Sequence, residues 1–131
     1  MAILDSDLLI GLLRNDQAAK KMLKQLVDAQ THLCTTTISS FELLRGVFLS
    51  KQKRANLQNV ASLLSALKIY SFTLYASFIC AEKIVETQKS EKEVPLADLM
   101  IGSIAIAEKE TVVTRNEKDF MAISGLTVTR W

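Results

Sequence analysis

Val94 to Phe120 reads VPLADLMIGSIAIAEKETVVTRNEKDF, and this stretch decides the fold. Leu96, Leu99, Met100, Ile101, Ile104 and Ile106 make its first part apolar nearly all round, the pattern of a helix inside a core. Pro95 suits the first turn, where a missing N–H costs nothing. Thr111 to Thr114 is a β-branched run fit for a strand buried on both faces, and a short second helix starts beyond it. Two acids flank this core, Asp98 in the helix's first turn and Asp119 past the strand. In an open parallel sheet ligands bind outside the carboxyl ends of the strands, so both acids are expected to face one crevice.

Outward from that stretch, the same alternation recurs. Ala2 to Leu4 forms a short strand, and Ser6 or Asp7 is placed to cap a helix over Leu8 to Leu13. Gln17 to Ala29 is amphipathic, with Ala18, Met22, Leu26 and Ala29 on one face. His32 to Thr35 is a second strand. Ile38 to Leu49 follows as a helix, capped by Ser39 or Ser40, with Glu42 in its first turn and Phe41, Leu44, Val47 and Phe48 toward the core. Lys51, Lys53 and Arg54 form a basic corner before a helix over Ala55 to Leu67. Ile69 to Phe72 is a third strand, and Thr73 caps a long helix to about Lys89 with Phe78, Ala81, Ile84 and Val85 as its stripe. A turn at Ser124-Gly125 precedes a last strand, Leu126 to Thr129. Strands alternating with helical patterns predict a three-layer α/β/α sandwich around a central, mostly parallel sheet of four to five strands, in one domain over residues 1–131.

Composition agrees. The chain has 131 residues, 49% of them hydrophobic, with Gly 4 and Pro 1, which leaves room for a core and little for linkers. A net charge of +2 carries no argument for nucleic acid by itself, so such a claim rests on where the charges lie. Cys34 and Cys80 sit in apolar surroundings and are expected to be buried free thiols. Asp5 and Asp7 spoil any signal-peptide core, and the apolar run from Leu96 to Ala107 is too short to span a membrane. The expected location is the cytoplasm.

Four acids stand at element ends: Asp5, Glu42, Asp98 and Asp119. Such a carboxylate set suits Mg²⁺ or Mn²⁺, hard cations that keep several waters and bind a substrate phosphate. An ion so held activates water and stabilises the leaving oxygen of a phosphodiester. An acid in a helix's first turn also complements the macrodipole with no function at all, which is the simpler account of Glu42 or Asp98 taken singly. Asp5 abuts an apolar strand and is costly there unless paired or metal-bound. Ser6, Thr114 and Asn116 can orient these acids or cap and turn the chain; Arg115, Lys51, Lys53 and Arg54 can meet phosphate or stand in solvent.

A strand followed by Asp-x-Asp is also similar to the opening of haloacid-dehalogenase-type phosphatases, but the later motifs of that family fit only loosely. The fuller match is elsewhere. ILDSDLLI resembles the opening motif of PIN-domain nucleases, TTTISSFELLRG their second motif with Glu42 in the acidic position, and the 94–120 stretch their third and fourth, including Thr-Arg-Asn-x-x-Asp-Phe. These motifs run in the right order over nearly the whole chain, and the compact size resembles VapC-type toxins of toxin–antitoxin pairs.

The resemblance implies that Asp5, Glu42, Asp98 and Asp119 hold Mg²⁺ or Mn²⁺, supported by Ser6, Thr114 and Asn116. It implies endoribonuclease cleavage of structured RNA such as tRNA or rRNA. It also implies a homodimer, heterotetramers or larger assemblies with a small VapB-like antitoxin, and a groove over the site that the antitoxin blocks. Asp7 stands where the family more often has Asn, and either ligates or caps. Either Asp119 or Asn116 fills the fourth position. The rival class is a non-catalytic PIN-like module that binds RNA or protein. The apolar excess around Phe48, Leu49 and Leu57 marks an expected groove for an amphipathic antitoxin helix.

Overall fold

In a computed structural model, which describes residues 1–131, each strand is short because each has only to cross one layer. The elements in order are β1 (Ala2–Leu4), α1 (Ser6–Leu13), α2 (Gln17–Asp28), β2 (Leu33–Thr36), α3 (Thr37–Leu49), α4 (Lys53–Ser65) and β3 (Lys68–Tyr70). There follow α5 (Leu74–Lys89), α6 (Leu96–Glu108), β4 (Thr111–Thr114), α7 (Glu117–Met121) and β5 (Thr127–Arg130). All five strands are parallel, in the order β3-β2-β1-β4-β5.

That order sets the layers. The chain moves outward from β1 to β2 to β3 through α1–α4, then returns past β1 to β4 through α5 and α6. Successive side chains of a strand point to opposite faces, so a strand between two helical layers is apolar throughout. Ala2 and Leu4 join Leu8, Leu9, Ala19, Leu43, Val47, Val60 and Val113 in one core. Ile3, between them, joins Cys34, Leu99, Ile101, Ile104, Val112, Phe120 and Ile123 in the other. Both cysteines are free and buried, as expected. No helix is long and apolar enough to cross a membrane.

Capping differs from the sequence expectation in two places. Asp5, not Ser6 or Asp7, is the N-cap of α1, its side chain accepting from the Ser6 N–H at 2.8 Å. Thr36, not Ser39 or Ser40, caps α3. In both cases strand passes into helix with no linker, so the last extended residue takes the capping position. Because α3 starts at Thr37, Glu42 falls in its second turn, and no macrodipole argument applies to it.

Helix faces also differ in part from those that periodicity predicts. On α3 the buried residues are Ser39, Leu43 and Val47, while Phe41 and Phe48 are 62% and 64% exposed. On α5 they are Ala76, Ile79, Cys80 and Thr87, with Phe78 and Val85 exposed. On α2 Ala19 is buried and Ala18 is open, as is Ala29 at its C-cap. Each helix carries two apolar stripes, and only packing determines which one meets the sheet. Lys53 and Arg54 belong to the first turn of α4 rather than to a preceding corner.

Candidate functional site

The strand order reverses at β1, whose neighbours β2 and β4 are reached by crossovers on opposite faces. Side chains at the carboxyl ends of β1 and β4 therefore open into a crevice that no helix fills. Asp5 lies at this point, 4% exposed. Its Oδ2 accepts the Thr114 hydroxyl at 2.7 Å, across the β1–β4 pair. The Ser6 hydroxyl donates to Glu42 Oε1 at 3.3 Å, which ties α3 to the same edge. Asn116, just past β4, uses its side-chain amide twice, donating to Asp98 Oδ2 and Asp119 Oδ2, both at 2.9 Å.

The four acids are thus brought to one crevice by three neutral residues, Ser6, Thr114 and Asn116. Asn116 donates to both neighbouring carboxylates.

Electrostatics carry the mark of this crowding. Asp98 is pushed up to about 7, first by burial and then by the charges of Asp5, Asp119 and Glu42. Asp5 rises to about 6, mainly by burial and further by Asp7 and Glu42, against the lowering effect of the Thr114 hydrogen bond. Burial also raises Glu42, with Asp7 adding to it. None of the influences on these three groups is a cation. Repulsion of this kind is relieved by a bound cation. No three acidic, histidine or cysteine side chains converge tightly enough to enclose an ion by themselves. That arrangement fits Mg²⁺ or Mn²⁺, which take one or two carboxylates and leave the remaining positions to water and phosphate.

Arg115 does not neutralise the cluster. Its guanidinium lies 3.7 Å from the Trp131 ring centre and 3.7 Å from Asp16. Lys51, Lys53 and Arg54 are exposed and form no ion pair. A cleft of about 280 Å³ beside Glu42 is lined by Arg14, Gly46, Ser50, Asn56 and Asn59 among others. A second cleft, of about 500 Å³, runs from Asp119 along Thr87, Gln88, Val94 and Pro95.

Asp7 and Trp131 are the residues whose part is visible only in three dimensions. Asp7 Oδ2 accepts the Arg115 N–H at 2.9 Å and lies 3.1 Å from the Thr114 hydroxyl. Its Oδ1 accepts the Trp131 indole N–H at 2.9 Å. Asp7 is therefore neither the cap of α1 nor a free acid. The Asp-x-Asp spacing marked it, whereas nothing in the sequence marked Trp131.

The PIN-domain family model matches residues 2–126, all of the elements through α7 and all the residues of the crevice. The chain belongs to the PIN-domain family. Within it, this PIN domain is of the VapC type. It is 33% identical over 107 residues to Ribonuclease VapC2 of Rickettsia felis, covering 82% of this chain and 80% of the relative. The crystal structure of VapBC2 from Rickettsia felis, bound to a DNA fragment from their promoter, superposes with a TM-score of 0.91. Its identity is 28%, over 99% of this chain and 98% of that one. FitAcB from Neisseria gonorrhoeae matches with a TM-score of 0.82 at 26% identity, over 98% and 96% of the two chains. The PIN fold expected from the motifs is the fold observed, with all five strands parallel.

Proposed function

We propose that this PIN domain is a divalent-metal-dependent endoribonuclease, the toxin of a type II toxin–antitoxin pair that cuts structured RNA such as tRNA or rRNA. The observation that carries the reading is the crevice itself: four carboxylates at the switch point, held by neutral donors, with no cation touching them. A charge arrangement so unfavourable in isolation is typical of sites that act on a ligand.

In this reading Asp5, Glu42, Asp98 and Asp119 would hold Mg²⁺ or Mn²⁺ through one or two carboxylates per ion, and the ion when bound supplies a lowered water pKa and charge stabilisation for the leaving oxygen. Thr114 keeps Asp5 aimed into the crevice by its 2.7 Å hydrogen bond, and Ser6 does the same for Glu42. Asn116 bridges Asp98 and Asp119 through its side-chain amide. Asp98, whose Oδ2 accepts that amide, is the general base for the attacking water. The clefts beside Glu42 and Asp119 lead away from the acids and give an RNA strand room to cross them. Lys51, Lys53, Arg54 and Arg115 contact its phosphates, which makes binding salt-sensitive. An RNA target places the activity in the cytoplasm.

For the partner, the reading is a small VapB-like antitoxin bound to a toxin homodimer. The relatives above were crystallised as VapBC2 and FitAcB, the first on DNA. A groove lined by Phe41, Leu44, Arg45, Phe48 and Leu49 is apolar and exposed, the surface an amphipathic helix would cover.

The test is cleavage of total small RNA by purified protein with Mn²⁺ or Mg²⁺, beside EDTA and Asp98→Asn controls. Discrete fragments absent from both controls support the reading and map the cut. Full activity in Asp98→Asn or Asp5→Asn at matched metal sinks it. No calorimetric binding of either ion at millimolar concentration favours the non-catalytic module instead.

A further inference from the structure

We infer that Trp131 is a positioning residue of the crevice, acting through Asp7 on Thr114. The ladder between β4 and β5 pairs Thr114 with Arg130 and then loosens, the Trp131 N–H reaching the Thr114 carbonyl at 3.4 Å. Beyond it, the Arg115 amide has no strand partner, and Asp7 Oδ2 takes it at 2.9 Å. The path by which β4 leaves the sheet is therefore set by a side chain of α1. That side chain is set in turn by Trp131, whose indole N–H meets Asp7 Oδ1.

The indole is held in one orientation. The Arg115 guanidinium covers its face, and its edge abuts Gly11, where an added Cβ would come within 3.1 Å of the ring. The Trp131 ring thus lies where no side chain larger than hydrogen fits at Gly11, with its N–H directed at Asp7.

The consequence for the crevice lies in one proton. The Thr114 hydroxyl has a single hydrogen and two carboxylates within reach, Asp5 at 2.7 Å and Asp7 at 3.1 Å. Asp7 receives N–H donors from Arg115 and Trp131, so the Thr114 proton remains on the shorter contact and holds Asp5. Remove the indole N–H and Asp7 lacks a donor on Oδ1. It then turns toward the Thr114 proton, releasing Asp5 and the Arg115 amide together. Asp7 is in this account an anchor, with both oxygens engaged, rather than a ligand.

The test compares wild type, Trp131→Phe and a chain carrying 3-benzothienylalanine at position 131, which keeps the ring size but has no N–H. Amide hydrogen exchange is read at Arg115 and Asn116, with Val112 and Val113 as controls, and Mn²⁺ affinity is read by calorimetry. Both replacements are expected to speed exchange at Arg115 and Asn116 about tenfold, to spare Val112 and Val113, and to weaken Mn²⁺ about tenfold. Unchanged exchange at Arg115 and Asn116 overturns the inference. Faster exchange with undiminished Mn²⁺ affinity also overturns it, since Trp131 would then be only structural. The Mn²⁺ readout rests on the function proposed above, whereas the exchange readout does not. A wild type that binds no Mn²⁺ would therefore defeat that function, and the amides alone would decide the anchor.

Discussion

Replacing Asp98 by Asn should make the metal-free protein more stable, not less. The side chains have the same shape, and the substituted amide still offers an oxygen to the Asn116 amide that Asp98 Oδ2 now accepts. What disappears is a charge that burial and three neighbouring acids disfavour, raising its pKa from 3.8 to about 7. Taken whole, that shift corresponds to about 4 kcal/mol at about 1.4 kcal/mol per unit. Asp98 is partly open to solvent, whose screening reduces the effect to roughly 2 kcal/mol. For a chain of this length, this is a rise in Tm of roughly 6–10 °C.

The pH dependence has a definite sign. A carboxylate whose folded pKa is raised supports the fold below its unfolded pKa, near 4, and loses that support as pH climbs to about 7. The advantage of Asp98→Asn should thus be small at pH 4, grow through pH 6 and level off by pH 8. Circular-dichroism melts in EDTA at those three values measure it. Saturating Mn²⁺ should invert the order, because an ion at 100 times its Kd stabilises the wild type by about 2.7 kcal/mol and the variant hardly at all. A variant that melts at or below the wild-type temperature in EDTA at pH 8 would refute the electrostatic account of the crevice.

Other consequences are as direct. Cleavage should rise with pH along a limb between about 6 and 7, where Asp5 and Asp98 ionise, and tenfold more Mn²⁺ should move that limb to lower pH in initial-rate profiles. Leu9→Ala, at a fully buried position of the α1–α4 core, should cost about 2–5 kcal/mol in urea unfolding. Changing Lys51, Lys53 and Arg54 together to Ala should reduce the salt slope of RNA binding by up to about 2, measured by fluorescence anisotropy, and leave Mn²⁺ affinity unchanged.

Much of this architecture was legible in order of residues alone. Apolar runs without alternation, as in Ala2–Leu4 and Thr111–Thr114, mean strands buried on both faces, hence parallel strands between helical layers. An acid abutting such a strand is costly, which singles out Asp5, whereas Asp98 and Asp119 are legible only as acids flanking the 94–120 core. Failures occurred where two local readings had equal merit. Phe41 and Phe48 share a helix with Leu43 and Val47, and either stripe could have faced inward. A cap at Ser39 or Ser40 puts Glu42 in a first turn, whereas the cap at Thr36 puts it in the second.

What the sequence by itself determined is the set of elements and their parallel arrangement, because each is a property of neighbouring residues and their spacing. Only the tertiary structure decided which groups meet. Asp5 touches Thr114, Asp7 touches Trp131, and Asn116 bridges Asp98 to Asp119. Those contacts depend on strand order and register. A change in β1–β4 register by one residue would turn Thr114 to the opposite face, and no local pattern encodes that choice.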